Sequence, residues 1–231
     1  MPFVVVDTSV SLPATLSSSG LTRKFWVLLA FGAVAYRAQH LQLELETLDL
    51  EAADVGGAVG GRESLERLAG EAERARVAME GLLPIGTPSD WLAVGGVDLF
   101  SEYERKVEAV AAKMGLDPAP DAAMARRQVE AICVAAEPLM DPGEVPPLTP
   151  DPDDDLIVWT ALASGAEILV SDDRHIVPAE ADGAQFYEHE DTSVLAVRFS
   201  HLVDNQLAGI EWAEIDGSLL SQLYRAGGLA E

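Results

Sequence analysis

The sequence predicts an α/β fold with a mostly parallel central sheet flanked by helices, and two observations lead to that prediction. Phe3–Val6 is an unbroken run of aromatic and β-branched residues, as in a central strand that is covered on both faces. Farther along, an apolar helical segment (156–164) is followed at once by a strand-like segment (166–170). A helix followed by a strand at this spacing is typical of a doubly wound parallel sheet.

Four further helices are predicted before residue 137, because apolar residues recur there at helical spacing, over 22–54, 62–83, 99–114 and 122–136. The glycines of 55–61 predict a flexible connection between the first two of these helices. The apolar run 25–36 is too short to span a bilayer, so it predicts a core helix. Segments 86–96 and 138–150 are expected to form turns and irregular chain.

The last third of the chain carries clear signals for the ends of elements. Asp154 is predicted to be the N-cap of helix 156–164, because an aspartate side chain accepts hydrogen bonds from free N–H groups of the first turn. Gly165 stands where the end of a helix favours left-handed backbone. A further strand is predicted at 194–197, and a terminal helix within 210–223.

The charge balance excludes binding of nucleic acid by bulk electrostatic attraction. The 231 residues include 39 acids and 15 bases, for a formal net charge of −24. Any contact with nucleic acid therefore needs local basic residues or bound metal ions. The single cysteine, Cys133, excludes a disulfide framework and a cysteine-based zinc site. The chain also opens with a predicted strand where a signal peptide would stand. Together with the single cysteine, this strand favours a cytoplasmic protein without a membrane anchor.

Aspartates stand where the predicted strands end. Asp7 follows the first strand, Asp172 and Asp173 follow 166–170, and Asp154 opens the helix that leads into that strand. Because sites in parallel α/β sheets form at the carboxyl ends of the strands, we expect these acids to meet. Gathered carboxylates repel each other unless cations lie between them, and their oxygens suit Mg²⁺ or Mn²⁺. Such a site has the chemistry needed to cleave a phosphodiester.

In these segments the chain resembles the PIN-domain nucleases. Segment 4–10 is similar to the opening of that family, and segments 151–155 and 160–174 are similar to its closing half. The most similar branch is that of the toxins of bacterial toxin–antitoxin pairs. The resemblance implies a PIN-like three-layer fold and hydrolysis of single-stranded RNA by acids that hold Mg²⁺ or Mn²⁺. It covers roughly residues 1–16, 97–112 and 148–177.

The resemblance assigns the first three acids residue by residue. Asp7 matches the first acid, and Ser9 matches the small polar residue that helps to hold it. Glu102 matches the second acid, within a Leu-Phe-Ser-Glu-Tyr segment at the start of a predicted helix. Asp154 matches the third. Two glutamates of an earlier helix are alternatives for the second acid, Glu44 and Glu46.

The fourth acid has two candidates. Asp173 falls just after the strand, as in the family, while Asp172 supplies an extra acid one place earlier. His175 stands where the family has a further aspartate, and it is a candidate contact for phosphate or metal. Nearby bases are candidate contacts for phosphate, namely Arg105, Lys106 and Arg174.

The spacing of these matches suggests a domain plan. The helix of Glu102 comes late in the chain, so residues 17–90 are interpreted as a helical insertion. The insertion would belong to a PIN-like nuclease domain of residues 1–200, with a C-terminal extension, 201–231, packed on it. By analogy with the family, a homodimer is expected.

Three interpretations of function remain open at this point. The first is a metal-dependent ribonuclease. The second is a non-catalytic PIN-like module that binds or regulates another protein, with its acidic surface against the basic arm of an antitoxin. A phosphatase-type hydrolase ranks last, because no Asp-x-Asp motif follows the first strand.

Overall fold

The computed structural model describes residues 2–16, 20–55, 59–80, 83, 91–115, 118–137 and 146–226. Within these residues one sheet has six strands: β1 Phe3–Val6, β2 Leu92–Gly96, β3 Ala135–Glu137, β4 Ile168–Val170, β5 Ala184–His189 and β6 Thr192–Val197. The strand order is β3-β2-β1-β4-β6-β5, and only the β5–β6 pair is antiparallel. The predicted α/β fold with a mostly parallel sheet is confirmed.

Helices cover both faces of this sheet: α1 Thr8–Leu16, α2 Leu21–Val55, α3 Val59–Glu80, α4 Val97–Lys113, α5 Pro118–Ile132, α6 Pro152–Ala163, α7 Phe199–Asn205 and α8 Leu219–Ala226. Successive side chains of each strand point to opposite faces of the sheet, so the core is divided into two clusters. Val4 and Val6 face a cluster built from α1, α2, α4, α5, α7 and α8, whereas Val5 faces α6. The molecule therefore has three layers, helix–sheet–helix.

Several predicted elements differ from the structure. The segment around Leu92 was expected to be turns, but 92–96 is a fully buried parallel strand. Its two glycines are needed for packing rather than for a turn, because a Cβ on Gly95 would press on Phe100 and a Cβ on Gly96 would press on Thr160. Helix α5 ends before β3, and strand β5 was not predicted. The terminal helix predicted within 210–223 is present as α8, which begins at 219 and continues past 223. Parts of two predicted irregular segments, 86–90 and 138–145, lie outside the described residues.

Helix α2 confirms the predicted core helix. Phe25, Trp26 and Leu29 are among the largest fully buried side chains of the protein. No helix in the described ranges combines the length and the apolar character that crossing a membrane requires. Helix α2 packs against α3, and α8 packs against α2. The domain limits at 200 and the insertion at 17–90 stay predictions.

Gly32 provides a test of how closely α2 packs on the sheet. A Cβ at this position would collide with the backbone carbonyl of Trp91, just before β2. We expect Gly32→Ala to lower the free energy of unfolding by about 1–3 kcal/mol, the usual cost of overpacking. Gly70→Ala on α3 is the matched control, because its Cβ would meet only the end of the Arg74 side chain. Equal urea midpoints for the two variants would contradict the prediction.

Candidate functional site

The register of β1 and β4 places Asp7 beside Ser171 at one edge of the sheet. Val6 pairs with Val170, and the Asp7 amide continues this ladder by donating to the Val170 carbonyl at 2.9 Å. The Asp7 side chain is buried. Its Oδ2 accepts hydrogen bonds from the hydroxyls of Ser9 at 2.6 Å and Ser171 at 2.7 Å. The Asp7 carboxylate is thus held in one orientation by one hydroxyl from the segment after β1 and one from the segment after β4.

A second acid, Glu102, reaches the same place from α4, which begins directly after β2. Its Oε1 lies 3.0 Å from the Thr8 hydroxyl, which is itself 3.2 Å from Asp7 Oδ1. Lys106, one turn later on α4, donates to the Thr8 hydroxyl at 2.6 Å and to Glu102 Oε1. One hydroxyl and one ammonium group therefore connect the carboxylates of β1 and α4.

Asp154 and His175 form the other side of the site. His175 Nδ1 is 3.1 Å from Asp154 Oδ2, 3.6 Å from Asp173 Oδ1 and 3.9 Å from Asp151 Oδ2. The backbone N–H of His175 also donates to Asp173 Oδ1 at 2.8 Å. Asp151, Asp154 and His175 offer ligand atoms that all lie within 4.8 Å of one another, a spacing at which they could hold a metal ion.

The prediction that Asp154 caps α6 is wrong. Asp151 is the N-cap: its side chain accepts from the Asp153 amide at 3.0 Å, and Pro152 occupies the first helical turn. Because Asp151 takes the capping role, Asp154 lies within the first turn and its carboxylate is turned toward His175. The first-turn N–H groups and the helix dipole favour negative charge there.

The two candidates for the fourth acid lie in different places. Asp172 Oδ1 accepts from the Phe199 amide at 3.0 Å, at the beginning of α7, so this carboxylate supports a helix. Asp173 is the acid whose carboxylate lies against His175. Its charge also raises the pKa of Asp154. The geometry therefore groups Asp173, and not Asp172, with the other acids.

The pKa values of Asp154 and Lys106 respond to the charges of the acids around them. Burial first, then the charges of Asp173, Asp151 and Asp7, raise the pKa of Asp154 to about 6, against a lowering contribution from its hydrogen bond with His175. For Lys106, burial acts to lower the pKa. The hydrogen bond and the charge of Glu102 act against burial, followed by the charges of Asp7 and Asp154. Together these contributions outweigh burial and raise the pKa of Lys106. The part of the rise in the Asp154 pKa that comes from neighbouring negative charges, as distinct from burial, is the part that a bound cation would offset.

This raised pKa gives a signed pH dependence. The folded-state value of Asp154 lies above its ordinary value of 3.8, so the folded state binds the proton more tightly than the unfolded chain does. Asp154 therefore favours folding below about pH 4, and this contribution is lost as the pH rises through about 6. In the absence of divalent ions, we expect the unfolding free energy of the wild type to fall relative to Asp154→Asn across that window. Parallel pH profiles for the two proteins in urea titrations would contradict the prediction.

Other predicted residues lie at the margin of the site or away from it. Arg105 and Asp153 form an exposed pair at 3.6 Å, and Arg174 is exposed. Glu44 and Glu46 line recesses on α2 that contain none of the site acids. Beside Glu102, α4 and α6 enclose a cavity of about 250 Å³, lined by Asp98, Ser101, Glu102, Arg105, Asp153, Leu156 and Ile157.

Three contributors were not assigned from the sequence: Thr8, Asp151 and Ser171. For Asp151 a signal was present, because proline is common at the first position of a helix and Pro152 therefore marks its predecessor as the cap. For Thr8 and Ser171 the role depends on contacts with distant segments. Those contacts leave no local pattern in the sequence.

The donor set suits a divalent cation. Two carboxylates and one imidazole, from Asp151, Asp154 and His175, lie close enough together to hold one ion, whereas Asp7, Glu102 and Asp173 belong to no such group among the described residues. No protein-family model matches the sequence. Searches of curated proteins and of solved structures gave no significant match either.

Proposed function

We propose that this protein is a metal-dependent ribonuclease of the PIN-domain type, which hydrolyses phosphodiester bonds of single-stranded RNA. The observation that supports the proposal is electrostatic proximity: the charges of Asp7 and Asp173 act on Asp154, and Lys106 is influenced by Glu102, Asp7 and Asp154 together. These acids come from β1, α4, α6 and the segment after β4. The strand order and the three-layer packing support a PIN-like fold.

In this proposal Asp7, Glu102, Asp154 and Asp173 would hold Mg²⁺ or Mn²⁺. The chemistry that a bound ion would supply is a water molecule that loses its proton more easily and so becomes a better nucleophile, together with positive charge to offset the charge that develops on the phosphate. The chain's own groups do the rest. Ser9 and Ser171 fix the Asp7 carboxylate. Lys106 lies among the acids, and its positive charge would give a phosphate oxygen a favourable contact there.

Two features support RNA as the substrate despite the net charge of −24. The cavity between α4 and α6 opens beside Glu102, and its rim carries Arg105. A base or ribose next to the cleaved phosphate would lie there. Since the surface as a whole repels polyanions, we expect weak binding of RNA that depends on divalent ions.

The proposal is tested with the full chain, a labelled single-stranded RNA, its duplex and the DNA of the same sequence. We expect Mn²⁺ or Mg²⁺ to raise the melting temperature and to permit cleavage of the single-stranded RNA. The chelator EDTA should remove both effects. An unchanged melting temperature together with intact RNA would overturn the proposal.

The second candidate function is a non-catalytic PIN-like module that binds a basic protein. The observation that favours it is Lys106, because an ammonium group already fits among these acids, as the basic arm of an antitoxin would. Metal-dependent cleavage by the isolated chain would exclude this alternative. The proposed function also includes a place in a toxin–antitoxin pair, a homodimeric state and a cytoplasmic location. Growth arrest on expression tests the role as a toxin, and sedimentation of the purified chain tests the homodimer.

A further inference from the structure

His175 stands among the carboxylates as a nitrogen donor. Its Nδ1 lies within 4 Å of carboxylate oxygens from three aspartates, Asp151, Asp154 and Asp173. Two of these, Asp151 and Asp154, form with His175 the group of ligand atoms spaced closely enough for one ion. This side of the site therefore offers a mixed nitrogen and oxygen donor set.

A hydrogen-bonded turn places the backbone of His175 at this site. Asp173 Oδ1 accepts the His175 amide hydrogen at 2.8 Å, and the Asp173 amide in turn donates to the Ser171 hydroxyl at 3.0 Å. That hydroxyl also donates to Asp7. The same turn that places the fourth acid thus places the imidazole, and both are tied to the end of β1. The ring is only half-buried, so it is accessible to an ion from solvent.

Donor chemistry distinguishes the two ions that the proposed function allows. Mg²⁺ is bound in proteins almost entirely by oxygen and keeps several of its waters, because it demands near-ideal octahedral geometry. Carboxylates suit Mg²⁺ and Mn²⁺ alike, whereas imidazole suits the later first-row transition ions best and is accepted more readily by Mn²⁺, the first of that series, than by Mg²⁺. Of the two, Mn²⁺ is the one that gains from a histidine placed among carboxylates.

We propose that His175, together with Asp151 and Asp154, makes this centre selective for Mn²⁺ over Mg²⁺. The proposal rests on the proposed function, since it concerns the identity of the ion in that site. It adds a nitrogen ligand and Asp151 to the four acids assigned above. It also predicts that an all-oxygen variant loses the preference.

The test compares the wild type with His175→Asp by calorimetric titration of each full-length protein with Mn²⁺ and, separately, with Mg²⁺. We expect the wild type to bind Mn²⁺ more tightly, and the variant to lose about tenfold or more of the ratio of the two affinities. His40→Asp, at an exposed position of α2, is the matched control and should leave the ratio unchanged.

A spectroscopic readout on the wild type keeps the test independent of how the variant folds. Pulsed electron paramagnetic resonance of bound Mn²⁺ should show coupling to a directly bound imidazole nitrogen. Bound Mn²⁺ without that coupling, or an unchanged affinity ratio in folded His175→Asp, would overturn this inference and leave the ribonuclease proposal standing. Binding of neither ion to the wild type would overturn both.

Discussion

Asp7→Asn is expected to abolish metal-dependent RNA cleavage, with a loss of more than about 100-fold. Loss of a group that only orients a metal ligand already costs roughly 10–100-fold, and Asp7 is proposed to be a ligand itself. Asparagine keeps the shape of the side chain and an acceptor for the hydroxyls of Ser9 and Ser171. The fold should therefore persist, while the charge that attracts the ion is gone.

Three measurements on Asp7→Asn separate loss of the site from loss of the fold. Circular dichroism should match that of the wild type, the rise in melting temperature on adding Mn²⁺ should disappear, and the labelled single-stranded RNA should remain intact. Asp204→Asn is the matched control, because Asp204 is an exposed acid of α7 that has no part in the proposed site or its cavity. Cleavage by Asp7→Asn at the wild-type rate would refute the assignment of Asp7 as a ligand.

The sequence predicts the parts of this fold that obey local rules. Strands β1 and β4 are short apolar runs, α4 carries helical periodicity, and α6 is an apolar run between N-terminal aspartates and Gly165, so these elements were predicted. Strand β2 was missed because its two glycines indicate a turn. In the structure they are required by the close approach of Phe100 and Thr160 from other segments. Such contacts arise only from tertiary packing, so the local sequence does not predict them.

The same distinction applies to the site. The polarity of parallel strands predicted that Asp7 and the acids after β4 lie at the same edge of the sheet, and Val6 pairs with Val170 at that edge. Which of Asp172 and Asp173 faces the others could not be predicted, because it depends on where α7 begins: the Phe199 amide takes the Asp172 carboxylate. The reach of Lys106 back to Thr8 likewise depends on how α4 lies across α1.

Asp155 carries the other large expected effect, on stability. This residue is 4% exposed, although Asp153 of the same sequence run is exposed. Its Oδ1 accepts three hydrogen bonds, from the amides of Leu148 and Thr149 at 2.8 and 2.6 Å and from the Thr149 hydroxyl at 2.9 Å. It therefore ties the segment that precedes α6 to the first turn of that helix.

We expect Asp155→Ala to lower the free energy of unfolding by about 3 kcal/mol, because it leaves three donors without their charged acceptor. Asp153→Ala is the control and should cost less than about 1 kcal/mol, since its pair with Arg105 is exposed to solvent. Urea unfolding of both variants measures the difference. The segment held by Asp155 leads directly into Asp151, so Mn²⁺ binding by Asp155→Ala should also weaken, although Asp155 is not proposed to be a ligand. Equal stability of the two variants would show that this buried carboxylate does not hold the segment in place.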